Sequence, residues 1–337
     1  MSYIDLHCDT LLHALGAKEE QVYSLEHTMV DAKRLHEAGA LAQFFAVFFP
    51  PKHPPRHAPP PPRDGKPHFR PPVVEDEIAF FRSARRVLWN TIETHGDVLA
   101  FAGNGKELEQ NISNGKVSAF LTLEDGRAVD GSWERLQWFY EQGVRLITLT
   151  WNFPNCFGNP NSRDEEKMRL GLTDFGKEAV GRMNELGILI DVSHLSDGGF
   201  YDVASLSKAP FVASHSNCRA LTPHPRNLTD DMIRTLADHG GVAGLNFGPD
   251  FVAAEAGSHR TSVERLCAHA SHLLRIGGED GVAIGTDFDG VEGDLEICQP
   301  TEMLRLFEGL KAAGFTERQI EKAARGNAKR VISETLR

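Results

Sequence analysis

The sequence has no run approaching the ~20 consecutive apolar residues of a membrane-spanning helix, and no basic stretch followed by an apolar one at its start. Its five cysteines include no CxxC pair, which argues against a disulfide framework and against a zinc ribbon. A formal net charge of −11 argues against a protein that binds nucleic acid, which would normally carry a basic surface. These absences predict a cytoplasmic protein that binds neither membrane nor nucleic acid. They leave open whether it forms a homodimer.

Short apolar runs, rich in Val, Ile, Leu and Ala, alternate with amphipathic stretches along the 337 residues. Their near-continuous apolar character is typical of parallel strands that are buried on both faces. The runs lie at 2–10, 41–49, 116–126, 143–151, 187–194, 209–217, 241–247 and 281–290.

Helical spacing of apolar residues marks 28–40, 132–143 and 173–187, and a glycine stands at or next to the end of each. Eight strands alternating with helices predict an α/β fold, a single-domain (β/α)8 TIM barrel over residues 1–337. An open, doubly wound sheet is the alternative, since alternation alone does not show closure.

One stretch interrupts the alternation. Residues 50–72 contain 11 of the 18 prolines, which predicts an extended loop insertion after the second strand. It could act as a lid or as a subunit-contacting arm, or it could have no role.

Polar side chains that can bind a metal stand at the ends of five predicted strands. The C-terminal ends of barrel strands meet on the face where barrel enzymes build their active sites. A single histidine at such an end is commonly structural, but buried charges at five ends around one ring need partners or a metal. The residues are His7 and Asp9, Glu124, His194, His215, and Asp287 with Asp289.

Imidazole and carboxylate donors without thiolates suit a divalent metal such as zinc. Three histidines with several carboxylates exceed what one four-coordinate ion needs. Two zinc ions sharing one carboxylate are therefore predicted.

Six ordered motifs resemble the renal (membrane) dipeptidase family of zinc peptidases, bacterial members included. The resemblance implies a barrel of the amidohydrolase type that hydrolyses dipeptides, including some with a C-terminal D-residue. It extends from Asp5 to about Gly290, and its motifs are DLHCDT, LTLEDG, LTWN, DVSHLSD, ASHSNCRALTPHPRNLTDD and GTDFDG.

Carried onto this sequence, the resemblance makes His7, Asp9 and Glu124 ligands of one zinc. Glu124 would bridge to a second zinc held by His194 and His215.

The resemblance also assigns residues to the substrate. Asp287 would be the acid/base that protonates the leaving amine, and Arg226 would bind the substrate carboxylate, unless it pairs with Asp230 or Asp231 instead. Trp151 stands where the animal enzymes have a histidine thought to polarise the scissile carbonyl. Indole donates one hydrogen bond but cannot become a cation. Polarisation of the carbonyl would then fall mainly to the metals, and Trp151 would contact the substrate or only shape its pocket.

Two other functions fit the same ligands. One is an amidohydrolase acting on a cyclic amide or lactam, and the other is a metal-binding protein without turnover. Asp287 and Arg226 argue against the second, because metal binding alone requires neither.

Overall fold

The computed structural model describes residues 1–15, 20–50, 74–253 and 258–337. In these ranges, eight parallel strands pair in sequence order into a closed ring, a TIM barrel. Each corresponds to one of the predicted apolar runs. They are β1 (Tyr3–Cys8), β2 (Ala40–Phe48), β3 (Val117–Glu124), β4 (Val144–Thr148), β5 (Leu189–Asp191), β6 (Val212–Ala213), β7 (Val242–Leu245) and β8 (Val282–Ile284).

Two strand pairings show that the sheet closes into a ring. β2 pairs with β3 in a continuous register from Ala42 opposite Ser118 to Phe48 opposite Glu124. β1 pairs with β8, where Asp5 lies opposite Ile284. The barrel is therefore confirmed, and the open doubly wound sheet is wrong.

Helices surround the barrel, and the three predicted ones are present. Gly39, Gly143 and Gly187 follow them with φ of +72°, +101° and +75°, a left-handed conformation that glycine adopts without strain. The helix predicted over 28–40 begins only at Ala32, because the Asp31 side chain accepts from the Arg34 amide and caps it there.

The α-helices are α1 (Thr10–Ala14), α2 (Ala32–Glu37), α3 (Glu77–Thr94), α4 (Gly105–Ser113), α5 (Trp133–Glu141), α6 (Glu165–Met168), α7 (Asp174–Leu186), α8 (Asp197–Leu206), α9 (Asp230–Asp238), α10 (Pro249–Val252), α11 (Val263–Gly277), α12 (Leu304–Ala312), α13 (Glu317–Glu321) and α14 (Asn327–Thr335). Short 3₁₀ turns lie at Gly126–Val129 and Pro300–Glu302, and a π-helical turn at Lys322–Gly326. The remaining short strands are Leu99–Phe101, Arg260–Thr261 and Asp294–Leu295.

The barrel interior is apolar toward the N-terminal ends of the strands. Phe44 and Phe120 stack there with ring centroids 4.5 Å apart. Side chains of α14, including Val331 and Ile332, join the same cluster. Packing fills this end, and the predicted ligands lie at the opposite, C-terminal end.

Residues 51–72 of the proline-rich stretch lie outside the described residues. Among the helices that are described, none has the length and apolar character needed to cross a lipid bilayer.

Candidate metal centre

His7 reaches the C-terminal mouth of the barrel through an irregularity in β1. Asp5 pairs with Gln43 and Cys8 with Phe45, so β1 has one residue more than β2 over this stretch. Such a bulge re-aims a side chain. Leu6 lies in the inner apolar cluster, while Cys8 packs in the outer cluster against the helices, although unbroken strand alternation would put both on one face. His7 lies at the mouth, with Nε2 3.4 Å from Asp9 Oδ2.

Glu124, the last residue of β3, stands between two groups of donors. Its Oε2 lies 3.4 Å from His7 Nε2. Its Oε1 lies 3.1 Å from His194 Nε2 and 3.8 Å from His215 Nε2. Within the described chain, ligand atoms of His7, Asp9 and Glu124 lie within 4.8 Å of one another, and so do those of Glu124, His194 and His215. One carboxylate thus faces both groups.

Several residues of the mouth have left-handed backbone conformations. His194, Asp287 and Asp289 have φ of +67°, +61° and +68°. This region is unfavourable for residues with a Cβ, and such strain clusters at functional sites. The tight turns place His194 and Asp287 directly over the barrel.

Asp287 joins the cluster and is fixed by its neighbours. Its Oδ1 lies 3.8 Å from His7 Nε2, and its Oδ2 accepts a hydrogen bond from Asn246 Nδ2 at 2.7 Å. A Cβ on Gly290 would overlap both Asp287 Oδ1 and Asp9 Oδ2. The final glycine of the GTDFDG motif is therefore required to leave room around these carboxylates.

The donor atoms fit a bound cation. Among the described residues, His7 Nε2 and Asp9 Oδ1 are buried without a hydrogen-bond partner. Asn152 Oδ1 lies 3.3 Å from His194 Nδ1. An oxygen can only accept, so Nδ1 carries the proton and the lone pair of His194 Nε2 points toward Glu124. Converging lone pairs and orphaned buried atoms of this kind suit a divalent metal.

The electrostatics of the cluster also favour a cation. Burial raises the pKa of Glu124 to about 8, and the charge of Asp9 adds to this. Burial lowers the pKa of His194 and His215 well below the usual range, which keeps the imidazoles neutral, the form that binds metals. Burial acts to lower the pKa of His7, but the charges of Glu124 and Asp9 raise it well above its usual range.

Arg226 is buried beside the cluster, and no carboxylate of the described residues forms a salt bridge with it. It donates from Nη1 to Ser216 Oγ at 2.9 Å and from Nη2 to the His215 carbonyl at 3.0 Å. Its Nε has no partner in the part of the chain that is described. The expected alternative, pairing with Asp230 or Asp231, is wrong, because Asp230 lies 2.6 Å from His272 and Asp231 accepts from Tyr201.

Trp151 lies at the mouth among aromatic side chains. Its ring centroid is 4.9 Å from that of Phe48, 6.0 Å from Phe153 and 6.3 Å from His194. Phe153 is 47% exposed. The indole therefore forms part of the wall between the histidine and solvent.

Asp289, although it stands at the same strand end, does not belong to the cluster. Its carboxylate accepts from the Thr10 hydroxyl at 2.6 Å and from the amides of Met29 and Val30. It fastens the loop after β8 to the segment before α2, which is a structural role.

Several residues that contact the cluster are not among the predicted site residues. The Asn246 side chain donates a hydrogen bond to Asp287. Asn152 and Ser214 contact the imidazoles of His194 and His215. Only the sequence positions of Asn152 and Ser214 could have indicated these contacts, since each residue adjoins a predicted site residue.

Comparison with known proteins identifies the family of this chain. The sequence profile described as membrane dipeptidase, peptidase family M19, matches residues 1–337. The chain belongs to this family. The predicted class of enzyme, a metallo-dipeptidase, is thereby confirmed, and the family implies bound metal ions.

Two relatives match part of this membrane dipeptidase family member. An uncharacterized protein of the pqqA 5′ region of Klebsiella pneumoniae is 38% identical over 225 residues, 64% of this chain and 82% of its own length. An uncharacterized dipeptidase of Schizosaccharomyces pombe is 37% identical over 180 residues, 53% of this chain, and the matched part spans only 43% of the yeast protein.

A solved structure is similar over nearly the whole chain. It is a metallopeptidase from Rhodobacter sphaeroides that holds a phosphinate mimic of the dipeptide L-Ala-D-Ala. The two chains are 29% identical and superpose with a TM-score of 0.84, covering 99% of each.

Proposed function

We propose that this chain, as one (β/α)8 domain, is a binuclear zinc dipeptidase that cleaves dipeptides with a free C-terminal carboxylate. The observation that carries the proposal is the position of Glu124, whose Oε2 faces His7 and whose Oε1 faces His194. His7 and Asp9 would hold one ion and His194 and His215 the other, with Glu124 bridging. When bound, two such ions supply an activated water and polarise the carbonyl under attack.

The chain's own residues would handle the proton and the substrate. Asp287 lies at the cluster with Oδ1 free of the hydrogen bond that Asn246 makes to Oδ2. In the metal-free protein, burial raises the pKa of Asp287 to about 6. This value is close enough to neutral pH for the carboxyl to take up and return a proton during the reaction. We assign to it the proton that the departing amine requires.

Arg226 would bind the substrate carboxylate. A buried guanidinium without an anionic partner is costly, and a carboxylate matches its planar array of donors. Because Nη2 bonds the carbonyl of His215, the guanidinium lies next to a proposed ligand. Only a substrate whose carboxylate follows closely on the scissile bond can satisfy both, and dipeptides meet this requirement.

Recognition through the carboxylate would also explain tolerance of a C-terminal D-residue. The charge can be bound with either configuration at the neighbouring carbon, provided the side chain finds space. The ligand held by the Rhodobacter sphaeroides relative mimics the dipeptide L-Ala-D-Ala, which supports including such substrates.

Assay of the purified protein against a panel of L,L and L,D dipeptides, with and without chelator, tests the proposal. Chelator-sensitive release of free amino acids is expected. Cleavage of cyclic amides or lactams but not of dipeptides would favour the amidohydrolase alternative. Tight zinc binding with no turnover of either class would favour a non-catalytic metal protein.

Arg226→Met is expected to lower kcat/KM for dipeptides by a factor of roughly 30 to several thousand. Removing one partner of a buried charge pair costs roughly 2 to 5 kcal/mol, and about 1.4 kcal/mol is tenfold. Arg226→Lys should restore activity only in part, because an ammonium does not reproduce the planar donors. Arg234→Met, at an exposed position on α9, is the matched control and should leave kcat/KM unchanged. Equal cleavage of a dipeptide and its C-terminal amide by the unaltered protein would contradict the carboxylate role.

Trp151→Phe is expected to reduce kcat by no more than about tenfold. Phenylalanine keeps an aromatic ring beside Phe48 but loses the N–H donor, and a neutral hydrogen bond contributes about 0.5–1.5 kcal/mol. Steady-state kinetics on one good dipeptide measure the change. A loss of several hundredfold would instead assign the indole N–H a direct part in polarising the carbonyl.

A further inference from the structure

A buried polar layer lies directly beneath the proposed metal centre. It consists of Thr148 at the end of β4, Asp191 at the end of β5 and Ser214 just after β6, each 0% exposed. It separates the apolar barrel interior from His215. The proposed function gives these side chains no task, yet Ser214 Oγ lies 2.7 Å from His215 Nδ1.

The hydrogen-bond directions in this layer follow from counting protons. Asp191 Oδ1 accepts from the amides of Ser193 and Ser214 at 3.0 and 2.9 Å. Asp191 Oδ2 lies 2.6 Å from Thr148 Oγ1 and 2.6 Å from Ser214 Oγ. An ionised carboxylate only accepts, so both hydroxyls donate to it. The single proton of Ser214 is thus used, and its oxygen must accept from His215.

His215 therefore carries its proton on Nδ1 and leaves the lone pair on Nε2. That nitrogen lies 3.1 Å from His194 Nε2 and 3.8 Å from Glu124 Oε1. We propose that Asp191 is a positioning residue that acts through the Ser214 hydroxyl to hold His215 in the tautomer able to bind metal. The inference rests on the proposed metal role of His215.

The hydrogen-bonded series Asp191, Ser214, His215 resembles the usual support of a metal ligand, with one additional group in it. A ligating imidazole commonly donates its second N–H to a carboxylate or carbonyl, which fixes the ring and its tautomer, and loss of such a partner lowers metal affinity by about 10- to 100-fold. Here a hydroxyl stands between the imidazole and the carboxylate. The identity of the carboxylate therefore decides the direction of the hydroxyl proton.

Asp191→Asn reverses that direction without changing the shape of the side chain. The two backbone amides at Oδ1 require an acceptor, so the amide oxygen takes that place and the NH₂ group faces Ser214. The Ser214 hydroxyl then accepts from Asn and donates to His215 Nδ1, which places the imidazole proton on Nε2. We expect zinc affinity to fall by about 10- to 100-fold.

The tautomer can be read directly in the metal-free protein. In ¹⁵N-histidine-labelled protein, long-range ¹H–¹⁵N spectra distinguish protonated Nδ1 from protonated Nε2, with His215 assigned from a His215→Gln variant. We expect Nδ1–H in the unaltered protein and Nε2–H in Asp191→Asn. Since this readout needs neither metal nor substrate, it stands even if the protein proves not to be a dipeptidase.

Two further variants separate positioning from a merely structural role. Thr148→Val removes the other hydroxyl donor to Asp191 Oδ2 but leaves the link to His215, so tautomer and zinc affinity should be unchanged. Ser214→Ala removes the link, so the His215 tautomer should become mixed and zinc affinity should fall by about 10- to 100-fold. The Ser214→Ala variant also tests the proposal if Asp191→Asn does not fold. Retention of pure Nδ1–H in Asp191→Asn or Ser214→Ala, or equal zinc loss in Thr148→Val, would overturn the proposal.

Discussion

Replacing Glu124 with alanine is expected to reduce the zinc content of the purified protein from about two ions per chain to well below one, and to abolish dipeptide hydrolysis. The reason is that its two oxygens face different donor groups, 3.4 Å from His7 and 3.1 Å from His194. Removal of a shared carboxylate weakens both sites at once. Metal analysis of dialysed protein measures the occupancy, and circular dichroism shows whether the barrel is intact.

Substitution of unshared ligands provides the matched comparison. Asp9 belongs to the group with His7, and His194 to the group with His215. Asp9→Ala and His194→Ala should each lose mainly one ion and keep about one. If Glu124→Ala also kept one tightly bound ion, the bridging arrangement would be excluded.

Asp287→Asn is expected to keep its zinc and lose about 10²- to 10⁴-fold in kcat, the range typical of a missing general acid/base. Asn246 donates to Oδ2 of Asp287, so the new amide oxygen would take that place and its NH₂ would occupy the position of Oδ1. An amide there cannot take up and return a proton. Kinetics on metal-replete enzyme, with zinc measured on the same sample, separate this effect from loss of metal.

Asp289→Asn is the control for damage to the strand-end turn. Its carboxylate accepts from Thr10 and from the Met29 amide, outside the metal cluster. The variant should therefore have a lower melting temperature while the folded fraction keeps its turnover. Near-normal kcat in zinc-loaded Asp287→Asn would remove Asp287 from the mechanism.

The barrel could be predicted because each of its strands is a distinct apolar run and because eight such runs fit a closed ring. The place of the site followed from the same reasoning. Parallel strands bring their C-terminal ends to one face, so Glu124 and His215 meet although they are far apart in sequence. Asp289 shows where this rule ends, since a turn after the strand sends its carboxylate to Thr10 instead.

Other features depend on geometry that no local pattern carries. The extra residue in β1 appears only from the pairing of Asp5 and Cys8 with β2. The chain from Asp191 through Ser214 to His215 joins the ends of two strands, and its meaning depends on which atom holds each proton. For Arg226, both binding of the substrate carboxylate and pairing with Asp230 or Asp231 were compatible with the sequence. Only the positions of Asp230 and Asp231 decided between them.

Titration of the metal-free protein with zinc, followed by dipeptide hydrolysis and by bound metal in the same samples, tests the central claim most directly. Because Glu124 faces both donor groups, we expect activity to rise until about two equivalents are bound and then to level off. Removal of the zinc with a chelator should abolish the activity again. Full activity at one bound ion, or hydrolysis that persists in the metal-free protein, would contradict a binuclear zinc dipeptidase.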